Sequence, residues 1–174
     1  MKKLIIFAFI AVNLTVFSQE ENPSVLFKQN EIKLNVGALS FGFPEFSYER
    51  LLGSDMGVGI SGMISLFEES SLEYQIVPFY RMYFAQKRPS SGFFIEVNAA
   101  LVAQSEEQDF YYTFYPVENK KEQGVFFGVG AAVGVKWLNS RGLVGEAFVG
   151  AGRIYGDPFY EVYPRVGVSI GKRF

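Results

Sequence analysis

The chain has 174 residues, 49% of them hydrophobic and 17% aromatic, with a formal net charge of −2. These values exclude intrinsic disorder and the basic surface that a nucleic-acid binder needs. With no cysteine and no histidine, the chain has no disulfide, no thiolate or imidazole metal ligand, and no histidine-activated nucleophile.

The N-terminus, MKKLIIFAFIAVNLTVFSQE, places Lys2 and Lys3 before an apolar stretch from Leu4 to Val12. That stretch is well short of the ~20 residues of a membrane-spanning helix. Val16-Phe17-Ser18 supplies the small or apolar side chains that a signal peptidase reads. Residues 1–18 are therefore expected to be a cleaved signal peptide, with Gln19 as the mature start and no cysteine for a lipid anchor. Residues 19–30 are expected to form a short periplasmic segment.

From residue 31 onward the periodicity is two, the spacing of a strand with two different faces. Eight segments follow in order: 31–39, 45–52, 56–67, 72–84, 92–104, 124–138, 142–153 and 162–174. In the fourth, Leu72, Tyr74, Ile76, Pro78, Tyr80, Met82 and Phe84 oppose Glu73, Gln75 and Arg81. In the fifth, Phe93, Ile95, Val97, Ala99, Leu101 and Ala103 oppose Glu96, Asn98 and Gln104. In the sixth, Val125 to Trp137 alternate with Gly124, Gly128, Gly130, Gly134 and Lys136. The second segment is the least regular, because Arg50 falls on its apolar parity. Pro78 cannot donate a ladder hydrogen bond, so a bulge is expected there. The connectors GSD (53–55), QKRPSS (86–91) and NSR (139–141) are short, whereas 105–123 is long. Short turns at one end and longer loops at the other are the pattern of an all-β, eight-stranded antiparallel up-and-down transmembrane β-barrel over residues 31–174. An even strand count puts both termini at the short-turn, periplasmic end.

Alternation alone also fits a soluble lipocalin-like barrel with the apolar face inward. Glycine decides between the two. The polar face holds Gly37, Gly57, Gly59, Gly124, Gly128, Gly130, Gly134, Gly150, Gly152, Gly167 and Gly171, the apolar face only Gly62 and Gly145. A solvated face gains nothing from glycine, but a narrow barrel interior needs small residues beside large ones. The ionic face is therefore expected inside, carrying Glu31, Lys33, Glu45, Glu49, Glu73, Arg81, Glu96, Lys136, Glu146, Arg165 and Arg173. Acids and bases nearly balance, which points to a paired, plugged lumen rather than a conducting channel lined by one sign. On the outer face Phe84, Phe93, Trp137 and Phe174 fall at the periplasmic strand ends, the depth of an interfacial aromatic girdle.

GVGISG (57–62) matches G-x-G-x-x-G but lies inside an alternating strand, not at a strand-to-helix turn, so no cofactor is expected. The G-x-x-x-G spacings of GVFFGVGAAVG belong to a strand for the same reason. Glu96 and Glu146 could form an acid/base pair, yet structural ion pairing is the commoner role of inward carboxylates. In the long loop, Phe110, Tyr111, Tyr112, Phe114 and Tyr115 lie between acidic flanks. They suit either an extended hairpin with rings at the lipid headgroups or an extracellular surface for a ligand or partner. The IYGDPFYE loop (154–161) adds Tyr155, Phe159 and Tyr160 on that side.

GVGAAVGVKWLNSRGLVGEAFVGAGRIYG and YPRVGVSIGKRF, with the earlier QIVPFYRMYFAQKRPSSGFFIEVNAAL, resemble the small, uncharacterised outer-membrane β-barrel proteins of Bacteroidota. More broadly the chain is similar to the OmpA/OmpX class. The resemblance implies outer-membrane lipid as its surroundings and the barrel-assembly machinery as a partner, read through the aromatic Phe174 on the last strand. It implies a non-enzymatic structural or surface-interaction role. Two alternatives stay open: a narrow pore or small-ligand-binding barrel, and a lipid-modifying enzyme that works without the histidine on which such barrel enzymes rely.

Overall fold

The computed structural model describes residues 28–67, 70–84, 88–106, 122–156 and 161–174. The expected signal peptide, most of segment 19–30 and the aromatic cluster from Phe110 to Tyr115 lie outside them, as do Phe159 and Tyr160. Eight strands are present: β1 (Asn30–Asn35), β2 (Glu45–Leu51), β3 (Met56–Ile64), β4 (Leu72–Phe84), β5 (Gly92–Glu106), β6 (Glu122–Leu138), β7 (Leu143–Tyr155) and β8 (Val162–Arg173). Each pairs antiparallel with the next, and β8 returns to β1 through Glu31↔Arg173 to Asn35↔Ser169, closing the barrel. Phe174 extends that seam: its N–H donates to the Asn30 carbonyl at 2.8 Å and its own carbonyl accepts from the Asn30 N–H at 3.1 Å.

The direction of the faces is plain from burial. Ile32, Val97, Val133, Val149, Val166 and Ile170 are exposed on the outside, while Glu31, Glu49, Arg81, Glu96, Lys136 and Arg173 are each at most 1% exposed inside. Close backbone approach explains the inward glycines. A β-carbon on Gly130 would lie 2.7 Å from the Tyr163 hydroxyl, and one on Gly128 2.8 Å from its ring. Outward Gly62, by contrast, has open space around it.

Three boundaries differ from the sequence reading. The first segment stops being a strand at Asn35, and Val36–Ser40 forms a short helix, α1, so Gly37 leaves the inward face. The cause is local: the Asn35 side-chain oxygen accepts the Ala38 N–H at 3.0 Å, an N-cap that competes with further strand. The third segment ends at Ile64, where β2 has run out of residues to pair with it; the Ser65 hydroxyl then takes the Phe67 N–H at 3.1 Å in a turn. The hairpin of β5 and β6 runs further than expected, to Glu106↔Glu122.

Pro78 does not produce a bulge. Pairing of β4 with β5 lapses between Ile76↔Leu101 and Phe79↔Asn98 but resumes in the same register, so the missing N–H is skipped rather than looped out. The register shift of β4 lies instead between Leu72 and Tyr74, at its outer end. Arg50, the misfit of β2, points outward beside the terminus and donates to Asn30 and Gln29, each at 2.9 Å.

Candidate functional site: the charge-filled interior

Side chains from seven of the strands meet on the axis because their parity aims them inward. At the short-turn end, the Arg173 guanidinium holds Glu31 at 2.6 Å and donates to the backbone carbonyls of Pro89 at 3.0 Å and Ser90 at 2.9 Å. The 88–91 turn is drawn across that mouth: the Ser90 N–H donates to the Ser54 carbonyl at 2.6 Å, Arg88 donates to the Leu138 carbonyl, and Ser90 is fully buried.

From there the ions alternate in sign along the barrel. The Lys136 ammonium bridges Glu31 at 2.7 Å and Glu49 at 2.9 Å. Lys33 bridges Glu49 at 2.6 Å and Glu146 at 2.9 Å. Arg81 donates to Glu146 at 2.9 Å and Glu96 at 2.7 Å. Arg165 donates to Glu96 at 2.9 Å and to Glu45, whose carboxylate also accepts from Asn35 at 2.7 Å. Each buried carboxylate in this chain therefore touches at least one cation, and each cation at least one carboxylate. That arrangement removes the uncompensated charge that would otherwise cost several kcal/mol per ion.

Aromatic rings fill the space between the ions. Arg81 lies 4.5 Å from the Phe79 ring centroid and 4.4 Å from that of Phe94, Arg165 lies 4.8 Å from Phe148, and Lys136 lies 4.3 Å from Tyr83. Such contacts over ring faces are attractive when desolvated. The Tyr83 hydroxyl donates to Glu49, and the Tyr163 hydroxyl donates to Asn98 at 2.5 Å. Toward the other mouth, Val77, Ala100, Val102, Ile154 and Tyr163 pack as an apolar layer with Leu72 and Phe126 against it.

Ten of the expected inward ions occupy this interior: Glu31, Lys33, Glu45, Glu49, Arg81, Glu96, Lys136, Glu146, Arg165 and Arg173. Glu73 is the departure. It is only half-buried, beside the register shift that turns the outer end of β4. Asn35, Tyr83 and the three phenylalanines went unremarked in the sequence, although the signal of the rings was there: Phe79 and Tyr83 share the parity of Arg81, Phe94 that of Glu96, and Phe148 that of Glu146. Phe84, Phe93, Trp137 and Phe174 all lie outside at the short-turn end, with the Phe84 and Phe93 rings 5.8 Å apart across paired strands. Glu96 and Glu146 are each engaged by Arg81, and both are buried.

A family model described as "Protein of unknown function (DUF3575)" matches residues 4–170. The chain belongs to that family. No curated protein matches it. Among solved structures, the N-terminal beta-barrel domain of Pseudomonas aeruginosa OprF is similar, with a TM-score of 0.52 and 15% identity over 84% of this chain and 98% of that one. At that identity the likeness is one of fold, a closed β-barrel.

Proposed function

We propose that this member of the family is an integral outer-membrane β-barrel protein, exported through a cleaved signal peptide at residues 1–18, with both termini periplasmic. Its role is structural or surface-interacting rather than enzymatic. The observation that carries the reading is the inversion of the usual burial pattern: ions sealed on the axis, aliphatic side chains on the outside. An apolar exterior of this kind is stable against acyl chains and not against water. The sealed axis supports a non-conducting barrel, because the tucked 88–91 turn, the alternating ions and the apolar layer follow one another across the lumen.

Two measurements test the reading. On an unboiled versus boiled detergent gel of the membrane fraction, the folded barrel is expected to shift in mobility. In planar bilayers the purified protein is expected to give no resolved single-channel steps. Steady conductance would turn the reading to the narrow pore, and turnover of labelled lipid A would turn it to an enzyme. The aromatic loop 105–123 is the proposed extracellular interaction surface, and Phe174 the residue read by the barrel-assembly machinery.

A further inference from the structure

The wall of the barrel is incomplete on one side. β1 and β2 have six and seven residues, against twelve in β8, and fewer than the ~9–11 that cross the hydrocarbon. β1 leaves the sheet at Asn35↔Ser169, so β8 from Val162 to Val168 has a strand on one side only, β7. An open strand edge facing lipid leaves backbone groups unsatisfied, each costing several kcal/mol. Two devices blunt this one. The Asn35 carboxamide accepts the Val168 N–H at 3.2 Å and donates to the Val166 carbonyl at 3.3 Å, taking the place of the absent strand. Pro164, at the next position of the same alternation, has no N–H to satisfy.

A cavity of about 410 Å³ occupies this gap, within the range of small-molecule sites. It is lined by residues of both faces of β8: outward Val166 and Val168, and inward Arg165. It therefore wraps the free edge and joins the lipid-facing exterior to the interior, with Ala38 of α1 forming its side. Its inner lining includes Gln75 and Ser61, 6% and 2% exposed, whose side chains have no hydrogen-bond partner among the described residues. A buried amide and hydroxyl left without partners are costly unless something in the cavity bonds them.

We infer that this cavity binds a single-chain lipid with an uncharged polar head, entered sideways through the free edge of β8. The head bonds Gln75 and Ser61, and the chain lies along Ala38, Val166 and Val168 toward the bilayer. The apolar mouth is continuous with the lipid-facing surface, which selects an acyl chain over a water-soluble ligand. The head is uncharged because Arg165 and Glu45 already neutralise each other at the inner end. An added carboxylate there would bring an unpaired charge. The inference goes beyond the proposed function and rests on its membrane placement.

Native mass spectrometry of the full mature protein refolded in amphipol tests it, with 1-monolauroylglycerol as the probe and laurate as its charged counterpart. The expected result is a saturable one-to-one monolauroylglycerol adduct, with laurate weaker. Gln75→Leu removes the amide at nearly constant volume and should weaken the adduct by about tenfold, the scale of one buried hydrogen bond. Ala38→Phe should fill the cavity and abolish it. The gel mobility shift reports separately whether each protein folds, and its absence in the unaltered chain would overturn the membrane reading instead. If Ala38→Phe does not fold, Gln75→Leu decides. No saturable adduct, or one unchanged by Gln75→Leu, overturns the site, and laurate binding as tightly as the ester overturns the uncharged head.

Discussion

Glu49 is the carboxylate whose loss the interior should tolerate least. Its oxygens meet Lys33 at 2.6 Å, Lys136 at 2.9 Å and Arg81 at 3.3 Å, and they accept from the Tyr83 hydroxyl. Glu49→Gln keeps the shape and deletes the charge, leaving the buried set with one cation in excess. Lys33 retains Glu146 and Lys136 retains Glu31, so neither ammonium is stranded, yet the surplus charge is buried away from bulk solvent. Breaking a buried pair from one side costs about 3–5 kcal/mol. Removing Lys136 as well restores the balance: Glu31 keeps Arg173, and Met at position 136 can pack on the Tyr83 ring. The double variant Glu49→Gln/Lys136→Met should therefore recover at least about half of the loss, roughly 1.5–2.5 kcal/mol relative to Glu49→Gln alone, and the two single losses should exceed the double loss in a double-mutant cycle. Urea unfolding of the refolded barrel in lipid vesicles reads both, using the fluorescence of Trp137, the sole tryptophan, and linear extrapolation. A single Glu49→Gln within about 0.5 kcal/mol of the parent would mean that water reaches the axis and that the lumen is not sealed.

Val133 points outward and is paired with Ile95 and Val149 in the middle of the sheet; Val133→Arg should cost ~2–4 kcal/mol in the same titration, and a neutral result would contradict the lipid-facing assignment. Asn35→Ala removes a helix cap, two bonds to the β8 edge and one to Glu45, so a loss of about 2–4 kcal/mol is expected in vesicles. Phe174→Ala leaves the Asn30 backbone pairing in place, so the urea midpoint of refolded protein should hold while the fraction inserted in cells falls. An equal loss in both measurements would make the ring structural rather than a recognition signal.

Strand parity was legible in the sequence because the period is two and the two faces differ in kind. That was enough to place ten buried ions, the four outward aromatics at the short-turn end and the closure between the first and last segments. The boundaries that escaped were set by single side chains. Asn35 ends β1 through a hydrogen bond three residues on, a choice that strand-like flanking residues disguise. The short β2 then shortens β3, because Met63 has Glu45 as its partner and nothing precedes Glu45 in the strand. Which ion meets which could not be read, since the partners are as far apart in sequence as Lys136 and Glu31, 105 residues. Their adjacency exists only after the sheet has curled shut. The lateral cavity was hidden for the same reason: it follows from where two strands stop, and nothing in the composition of residues 31–40 announces that.

Why the interior holds ions at all is a question of specificity, because well-packed apolar side chains would serve stability as well or better. The register gives the reason. Glu31 lies directly across from Arg173, Arg81 from Glu96 and Lys136 from Glu146, so each of these pairings is favourable in one alignment only. A one-residue slip of β1 would turn Lys33 onto the outer face and Ile32 onto the axis. The first hairpin is different: β1 and β2 place Glu31 directly opposite Glu49, a like-charged pair that is destabilising by itself. Lys33 of the same hairpin meets Glu49 at 2.6 Å and lies 3.7 Å from Glu31, and Lys136 bridges both carboxylates from β6, on the other side of the barrel. The hairpin of β1 and β2 thus sets three inward carboxylates, Glu31, Glu45 and Glu49, against the single ammonium of Lys33, and its charge is balanced once the wall has curled far enough to bring the cations of β4, β6 and β8 across from it. A barrel assembled from its C-terminal strands would add this hairpin last, onto an axis already carrying Lys136, Arg81 and Arg173.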